Sequence, residues 1–536
     1  MDANALPSKP RREYLDALPL VTLIRDLLGG TPRMHEQCAT YIPKWKAEKQ
    51  ENYLKRARSA KVYGGLARSL SASVGMLFAK EPEPSEGWPA AMTEQWWNID
   101  GKGTKGPVFA KRRAEDAIAD GFGGILVDMP PVPEGAVVTL ADEERLNLRP
   151  RWAPYQRLDI LSWETSVVNN VEVPVQVVLR ENYTRKTGEF ATETVPAYRV
   201  LKLTQQNVAP KGAEPVIAWA ASWRLMVEEK GLSGQVTGLR QLGAGIFRDA
   251  AGVPFDVIPL AVGYGGRTDA PFTAHPPLTD LAWCNLQHWR IATDKRWNEQ
   301  LCAFPQPLLK GGLAATGKTN KVDGGPVAPR FELGPGVLVE TKADGDFLWR
   351  ELTGNSLDKL RESKQDERDE MGELGASFLS KKTRGVETAE AKRIDSVAEN
   401  ATLSTAGQGV EDWLNMALEI HARYLGIPSA QAPTLSLNKD FELGLMDAAT
   451  MTAWGSLAVN LKLPVRMVLD ALRDGGRIVA TDEELDEIEA DIMVNQAAAE
   501  AEAERQREMQ TEALQARGQP AAGKPKGEVP PALAAE

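Results

Sequence analysis

Gly312-Leu-Ala-Ala-Thr-Gly317-Lys318-Thr319 spells a chemical device outright, the G-x-x-x-x-G-K-[ST] pattern of a phosphate-binding loop. Such a loop aims backbone N–H groups at the phosphates, sets its lysine on the β- and γ-phosphates, and starts a helix there so that the dipole faces the anion. The flanking residues withhold those parts. Asn320, Lys321, Val322, Asp323, Gly324, Gly325 and Pro326 follow, and they will not propagate a helix. The preceding PQPLLK, with prolines at 305 and 307, is a poor buried strand. No run of Asp-ending strands follows to supply a magnesium ligand. The context predicts a basic, glycine-rich loop, and a P-loop nucleotide-dependent enzyme using Lys318 is the alternative.

Other candidates carry less. His35 and Cys38 are three apart with no second ligand pair nearby, so a chance surface pairing outweighs zinc. His288 and His421 sit in helical patterns without an adjacent Cys or His, and read as ordinary helix-face histidines. Gly263, Gly265 and Gly266 follow VIPLAV as a glycine-rich turn. No serine occupies a nucleophile elbow. The acids from Asp482 to Asp491 are spaced as a solvated helix face. The expectation is a chain that is not an enzyme, with no catalytic residue, no cofactor and no metal.

Composition agrees with that class. Of 536 residues, 43% are apolar, ample for sizeable cores, and the net charge is −11. An acidic chain is poorly suited to gripping DNA over its whole surface, because phosphate neutralisation needs concentrated Lys and Arg. Any nucleic-acid contact must be local or transient. Cys38, Cys284 and Cys302 are odd in number and far apart, which argues against a disulfide framework and fits a reducing compartment. The N-terminus lacks the apolar segment of a secretory signal, and no apolar run reaches the roughly 18 residues of a membrane span.

The elements that would position any site come in blocks. Residues 13–80 read mainly helical, with a basic-faced stretch from ENYLKRARSAK onward. A helix near 107–120 leads through Gly121, Gly123 and Gly124 into a buried strand at Ile125–Val127. From Trp152 to Leu260 the period drops towards two, predicting β-hairpins. The run PPLTDLAWCNLQHWRIATDKRWNEQLCAF then predicts a helix from Pro277 to Phe304, its prolines in the first turn. About 28 residues would span roughly 42 Å. Its apolar residues make two edges, with Trp283 and Ile291 on the second, and so ask for two partners. Val337–Glu340 and Phe347–Leu352 flank Asp344-Gly345 as a hairpin. Helix resumes at Leu357, almost without apolar residues from Arg361 to Glu370, and again over Thr388–Gly426. The last helical region begins near Leu463, with a capping box from Thr481 to Glu484.

Six runs in order carry a resemblance: GFGGILVDMP at 121–130, RPRWAPYQRLDILSW at 149–163, IPLAVGYGG at 258–266, the PPLTDLAW helix through PQPLLKGG, LWRELTGNSLDKL at 348–360 and ETAEAKRIDSVAENATLS at 387–404. Together the chain resembles bacteriophage portal proteins, the head-to-tail connectors, in a branch long catalogued as a domain of unknown function. The resemblance implies an α+β, predominantly helical chain with wing, stem, clip and crown, closing as a ring, usually a dodecamer, with a central channel. It maps the wing to 1–274 and 388–460, stem helices to 275–304 and 355–378, and the clip to 305–354. The tunnel loop becomes 379–387, the crown 461–518 and a disordered tail 519–536. It implies a virion protein at the capsid portal vertex, in the host cytoplasm during assembly, with no membrane contact. Its partners would be double-stranded DNA in the channel, the terminase large subunit, the major capsid protein and head-tail adaptor or tail proteins.

Electrostatics refine that picture. A conduit must let duplex DNA pass both ways, so strong phosphate binding along its wall would stall it. Asp366, Glu367, Asp369, Glu370 and Glu373 on the second stem helix fit a neutral or weakly repulsive passage. Lys381, Lys382 and Arg384 in the tunnel loop are the candidates for light phosphate contact. Lys310, Lys318 and Lys321 are the corresponding clip candidates.

Overall fold

Two glycines in the middle of a buried strand set the geometry of the larger unit. The computed structural model describes residues 6–85, 87–130, 145–208, 216–231, 235–303, 306–310, 346–350, 355–374, 389–438, 464–474 and 481–517. They belong to two units, Met1–Lys439 and Asp440–Glu536.

The first unit opens with helices α1 (Arg12–Leu28), α2 (Gly30–Glu36), α3 (Cys38–Tyr41), α4 (Gln50–Ala57) and α5 (Gly65–Leu77). The basic-faced stretch is therefore two helices, with α5 restarting at Gly65 after residues 58–64. A short strand β1 (Glu83–Pro84) and α6 (Ala90–Trp96) precede α7 (Gly106–Asp120). Gly121, at φ 91°, ends α7 in a conformation that L side chains resist, and the chain turns into β2 (Phe122–Asp128).

β2 lies between β3 (Arg151–Gln156) and β9 (Leu260–Tyr264), antiparallel to both. Its first six residues are buried. A second sheet is a meander of β4 (Ile160–Val168), β5 (Val171–Lys186), β6 (Thr192–Val208), β7 (Val216–Lys230) and β8 (Val236–Ile246). Three of its strands run 15 to 17 residues. That extent corrects the expectation of a predominantly helical chain, and the described residues are a mixture of helix and sheet. β10 (Arg267–Ala270) and β11 (Thr273–His275) form a small hairpin before α8 (Thr279–Ala303). Pro276 and Pro277 precede this helix instead of opening it, and Thr279 Oγ1 donates to Pro276 O at 2.7 Å.

After α8 the chain forms β12 (Gln306–Lys310), antiparallel to β13 (Asp346–Arg350). PQPLLK, expected to be a poor buried strand, is one half of an antiparallel ribbon among the described residues. Residues 346–350 pair with 306–310; residues 337–340 and 344–345 of the expected hairpin lie outside the described residues. Two long helices follow, α9 (Asn355–Leu374) and the 36-residue α10 (Ala389–Tyr424), then β14 (Leu435–Ser436), which pairs with β1.

α10 crosses the β3-β2-β9 sheet on a trough of glycines. Gly123 and Gly263 are register partners on β2 and β9. The indole of Trp413 lies over both, so that a Cβ at Gly263 would sit 2.1 Å from its ring. Trp413 Nε1 donates to Ala261 O at 3.0 Å, and the side chain is fully buried. One helical turn earlier, Gly409 faces the carbonyl of Tyr264, where a Cβ would stand 1.9 Å from that oxygen. Glycine inside a helix is disfavoured by about 1 kcal/mol against alanine. Its use here is explained by that close approach.

The C-terminal part of α10 is tied down by His421. Trp152 Nε1 donates to His421 Nδ1 at 3.1 Å, so Nε2 carries the ring proton and donates to Gln95 Oε1 at 2.7 Å. Trp152 also meets Trp96 and Phe109 edge-on, at 6.1 and 5.6 Å between centroids. Both His288 and His421 are buried, which corrects the reading of helix-face histidines. Burial, with Arg149 adding to it, pushes the His421 pKa down to about 3.

The second unit contains α11 (Val465–Asp474) and α12 (Asp482–Arg517). The capping box forms: Thr481 N donates to Glu484 Oε2 at 2.9 Å, and Glu484 N to Thr481 Oγ1 at 3.3 Å. Asp482 and Asp486 are not merely solvated, since Arg466 pairs with both and Arg473 with Asp482.

Two outcomes follow from this packing. Gly409→Ala should lower stability by about 1–3 kcal/mol in denaturant unfolding despite its better helix propensity. Gly188→Ala, where a Cβ meets Ala191 only at 3.6 Å, should stay within about 0.5 kcal/mol. For His421, the unfolded imidazole binds a proton near its ordinary pKa and the folded one only near 3. Between those values the unfolded chain holds more protons, so stability drops as pH falls, by about 1.4 kcal/mol per unit. His421→Gln keeps one acceptor and one donor, and should remove that much slope between pH 6 and roughly 4. An unaltered slope would exclude His421 from the acid response.

Candidate functional site

α8 is docked by polar anchors at the ends of the N-terminal helices. Asn285 Oδ1 accepts from Leu66 N at 3.1 Å, and Nδ2 donates to Tyr63 O at 3.0 Å. Trp289 Nε1 donates to Ala60 O at 3.3 Å, and Arg290 Nε to Tyr41 O at 2.9 Å. Arg56, itself buried, holds Glu48 and reaches Asp294 on α8 at 3.1 Å. Leu281, Ala282, Leu286 and Trp289 fill the contact.

On its other side α8 packs along α9. Cys284 meets Glu367, and one cavity brings His288 and Lys295 together with Arg361, Lys364 and Arg368. Rising numbers on one helix against falling numbers on the other make the pair antiparallel. α8 thus has neighbours on two sides within one chain, the N-terminal helices and α9. Trp283 lies on neither contact and stays 52% exposed.

The charges of α9 are sorted by face. At about 100° per residue, Glu362, Asp366, Asp369, Glu370 and Glu373 fall on one arc and Arg361, Lys364 and Arg368 on another. The acids are all exposed, and of them Glu370 borders α8 at Cys284. Glu367 turns inward: Cys284 Sγ lies 3.2 Å from its backbone oxygen and 3.3 Å from Oε2. Burial, then Glu367, push the Cys284 thiol up to about 12, so it is a protonated donor. Cys284, Glu367 and Glu370 bring possible ligand atoms within 4.8 Å of one another. A metal there would need the thiolate, and the neighbouring carboxylates disfavour it.

The cations face a cavity of about 360 Å³ lined by Tyr63, His288, Lys295, Arg361, Lys364, Gln365 and Arg368. His288 is 3% exposed and its Nδ1 has no hydrogen-bond partner. Burial, with Lys364 and Arg368 close by, pushes its pKa down to about 4. The ring rests on Tyr63 with centroids 5.3 Å apart, and the Arg368 guanidinium lies 5.2 Å over the same Tyr63 ring. The R-x-x-K-x-x-x-R spacing was visible in the sequence. That it faces a buried histidine from another helix was not.

The residues singled out from the sequence distribute otherwise. Lys381, Lys382 and Arg384, with Lys318, Lys321 and the whole of Gly312–Thr319, lie outside the described residues. Lys310 is the last residue of β12, opposite Asp346. His35 Nε2 bonds Ala60 O at 2.9 Å while Cys38 is buried apart from it, so the pair holds no common ligand. Gly265 and Gly266 are packing residues: a Cβ would stand 2.4 Å from the Ala117 backbone at the first and 2.0 Å from His275 O at the second. No helix among the described residues is long and apolar enough to cross a membrane.

Among solved structures, the chain is similar to one titled as the neck of an empty GTA particle computed with C6 symmetry, at 10% identity and a TM-score of 0.35, covering 82% of this chain and 98% of that one. It is also similar to a chain from the virion of a native gene transfer agent particle, at 11% identity and a TM-score of 0.34, covering 84% and 96%. No curated protein matches it. From just before α8 to just past α10, residues 277–425, the chain matches the family model described as a domain of unknown function, DUF4055.

Proposed function

We propose that copies of this chain close into a phage portal ring at one capsid vertex, the conduit for DNA packaging and ejection and the platform for terminase and tail adaptors. The observation that carries the reading is the order of elements between Thr279 and Tyr424. A 25-residue helix passes through an antiparallel ribbon, returns as an antiparallel 20-residue helix, and is followed by a 36-residue helix. That order coincides with the segments that resemble portal stem, clip, stem and wing. Long rods laid side by side build a wall, and the exposed Trp283 leaves α8 an apolar side chain for a neighbouring copy. The outward acids of α9 give such a wall a surface that does not grip phosphates.

In this reading the protein does no chemistry, and the packaging ATPase is a separate terminase. Nothing favours the nucleotide-dependent alternative. A P-loop hangs from a buried strand and opens a helix, whereas Gln306–Lys310 is half of a two-stranded antiparallel ribbon. Lys381, Lys382 and Arg384 remain the proposed light contacts to packaged DNA, and the twelve-fold ring remains the expectation that the resemblance implies.

Negative-stain images of purified protein should show rings with a central hole, and ATP hydrolysis should be at background. Monomers at every concentration and in particles would overturn the assignment. The triple variant Lys381→Ala, Lys382→Ala, Arg384→Ala should still form rings but retain less packaged DNA. Unchanged packaging and infectivity would remove those side chains from DNA retention.

A further inference from the structure

The cavity between α8 and α9 is built from parts that have no use for one another. Arg361, Lys364 and Arg368 converge on it from three successive positions of one helix face, and Lys295 from the other helix. Lys295 is paired with Glu299 on its own helix. Arg361, Lys364 and Arg368 have no ion-pair partner among the described residues, although α9 carries acids immediately beside them. Three like charges brought to one cavity repel one another and disfavour the fold unless something negative joins them.

His288 makes the same demand in a different currency. A buried polar atom without a partner costs about 1–3 kcal/mol, and such groups in native proteins call for an ion or water that completes them. Its ring lines the cavity, Nδ1 is unpartnered, and its neighbours are cations. The cavity therefore presents two guanidinium forks and a lysine ammonium beside the His288 ring. Three cations on one lining disfavour a further cation there. Forks combined with a point-charge lysine match a tetrahedral oxyanion carrying more than one negative charge.

We propose that the α8–α9 cavity is a binding site for a phosphate group, held by Arg361, Lys364 and Arg368 over the His288 ring. The site belongs to a single chain and stands whether or not copies assemble as a ring. Two sources share this chemistry, free inorganic phosphate and the phosphodiester of a DNA strand running along α9. At about 360 Å³ the cavity has room for either group with water.

The test uses the full chain in chloride buffer of low ionic strength. Inorganic phosphate is titrated by calorimetry, and a short labelled DNA duplex by fluorescence anisotropy. The variants are Lys364→Gln and, as the matched loss of one charge, Lys359→Gln. Lys359 is 82% exposed at its side chain and pairs with Glu362 away from the cavity. Phosphate binding that weakens tenfold or more in Lys364→Gln and less than twofold in Lys359→Gln establishes the site with free phosphate as a ligand. The same pattern for duplex alone identifies the phosphodiester as the source. Equal weakening by both variants means diffuse attraction, and overturns the proposal, as does the absence of binding to either probe. It is likewise overturned if Lys364→Gln leaves both affinities intact and shifts only the assembly state, because the cavity then receives an acidic side chain of a second copy. Melting curves of both variants, expected to match the parent, tie any loss to the cavity and not to unfolding.

Discussion

The fold depends on how closely α10 lies on its sheet. Trp413 can rest flat on β2 and β9 only because Gly123 and Gly263 stand opposite each other, and Gly409 lets the helix backbone reach the carbonyl of Tyr264. These contacts join residues more than a hundred apart in sequence, so the sheet and the longest helix of the unit are defined together. The same seating aligns the far end of α10, where His421 bonds Trp152 and Gln95. It also presses the Gly265-Gly266 turn against α7 and the β11 carbonyl of His275. Bulk at Gly265, Gly266 or Gly409 would press on backbone, and bulk at Gly123 or Gly263 on the buried Trp413 ring.

Charge is used in the core for position. Arg25 on α1 holds Asp116 at 2.7 Å and Asp120 at 2.5 Å, both carboxylates buried on α7. Arg157 donates to the backbone oxygens of Asp120 and Ala274, at 2.7 and 2.8 Å. One helix end, one strand end and one hairpin are thereby fixed at a single point. Burying such ions gives little net stability, because desolvation offsets most of the attraction, but removing one partner is costly. The arrangement suits a scaffold whose long elements must leave the core at set angles.

How much was legible follows from the range of each signal. Local signals read well: the helix into Gly121, the strand after it, the antiparallel β region, the long helices and the Thr481–Glu484 capping box each follow from a few adjacent residues. Where the reading failed, partners distant in sequence had decided. His288 and His421 do lie on helix faces, but nothing nearby in sequence revealed that those faces would be covered. The two apolar edges of α8 asked for two partners; the N-terminal helices and α9 flank it, yet Trp283 of the second edge stays exposed. The glycine trough was spelled in VGYGG and GQG, but glycine for close approach and glycine for a turn look alike until the crossing helix is known.

α9 shows why a passive exterior and a phosphate site do not conflict. A helix with eleven charged residues of both signs could scatter them, and would then offer duplex DNA an irregular, sticky surface. Here Arg361, Lys364 and Arg368 turn to the cleft against α8, while Asp366, Asp369 and Glu373 lie on another arc and are exposed. Cations gathered on one cleft act on a phosphate at contact distance, whereas the outer carboxylates act through water and mobile salt. A single helix can in this way hold one anion firmly and still repel a polyanion sliding past its opposite face. The two properties sit on different arcs of the same rod, so a change in one need not carry the other with it.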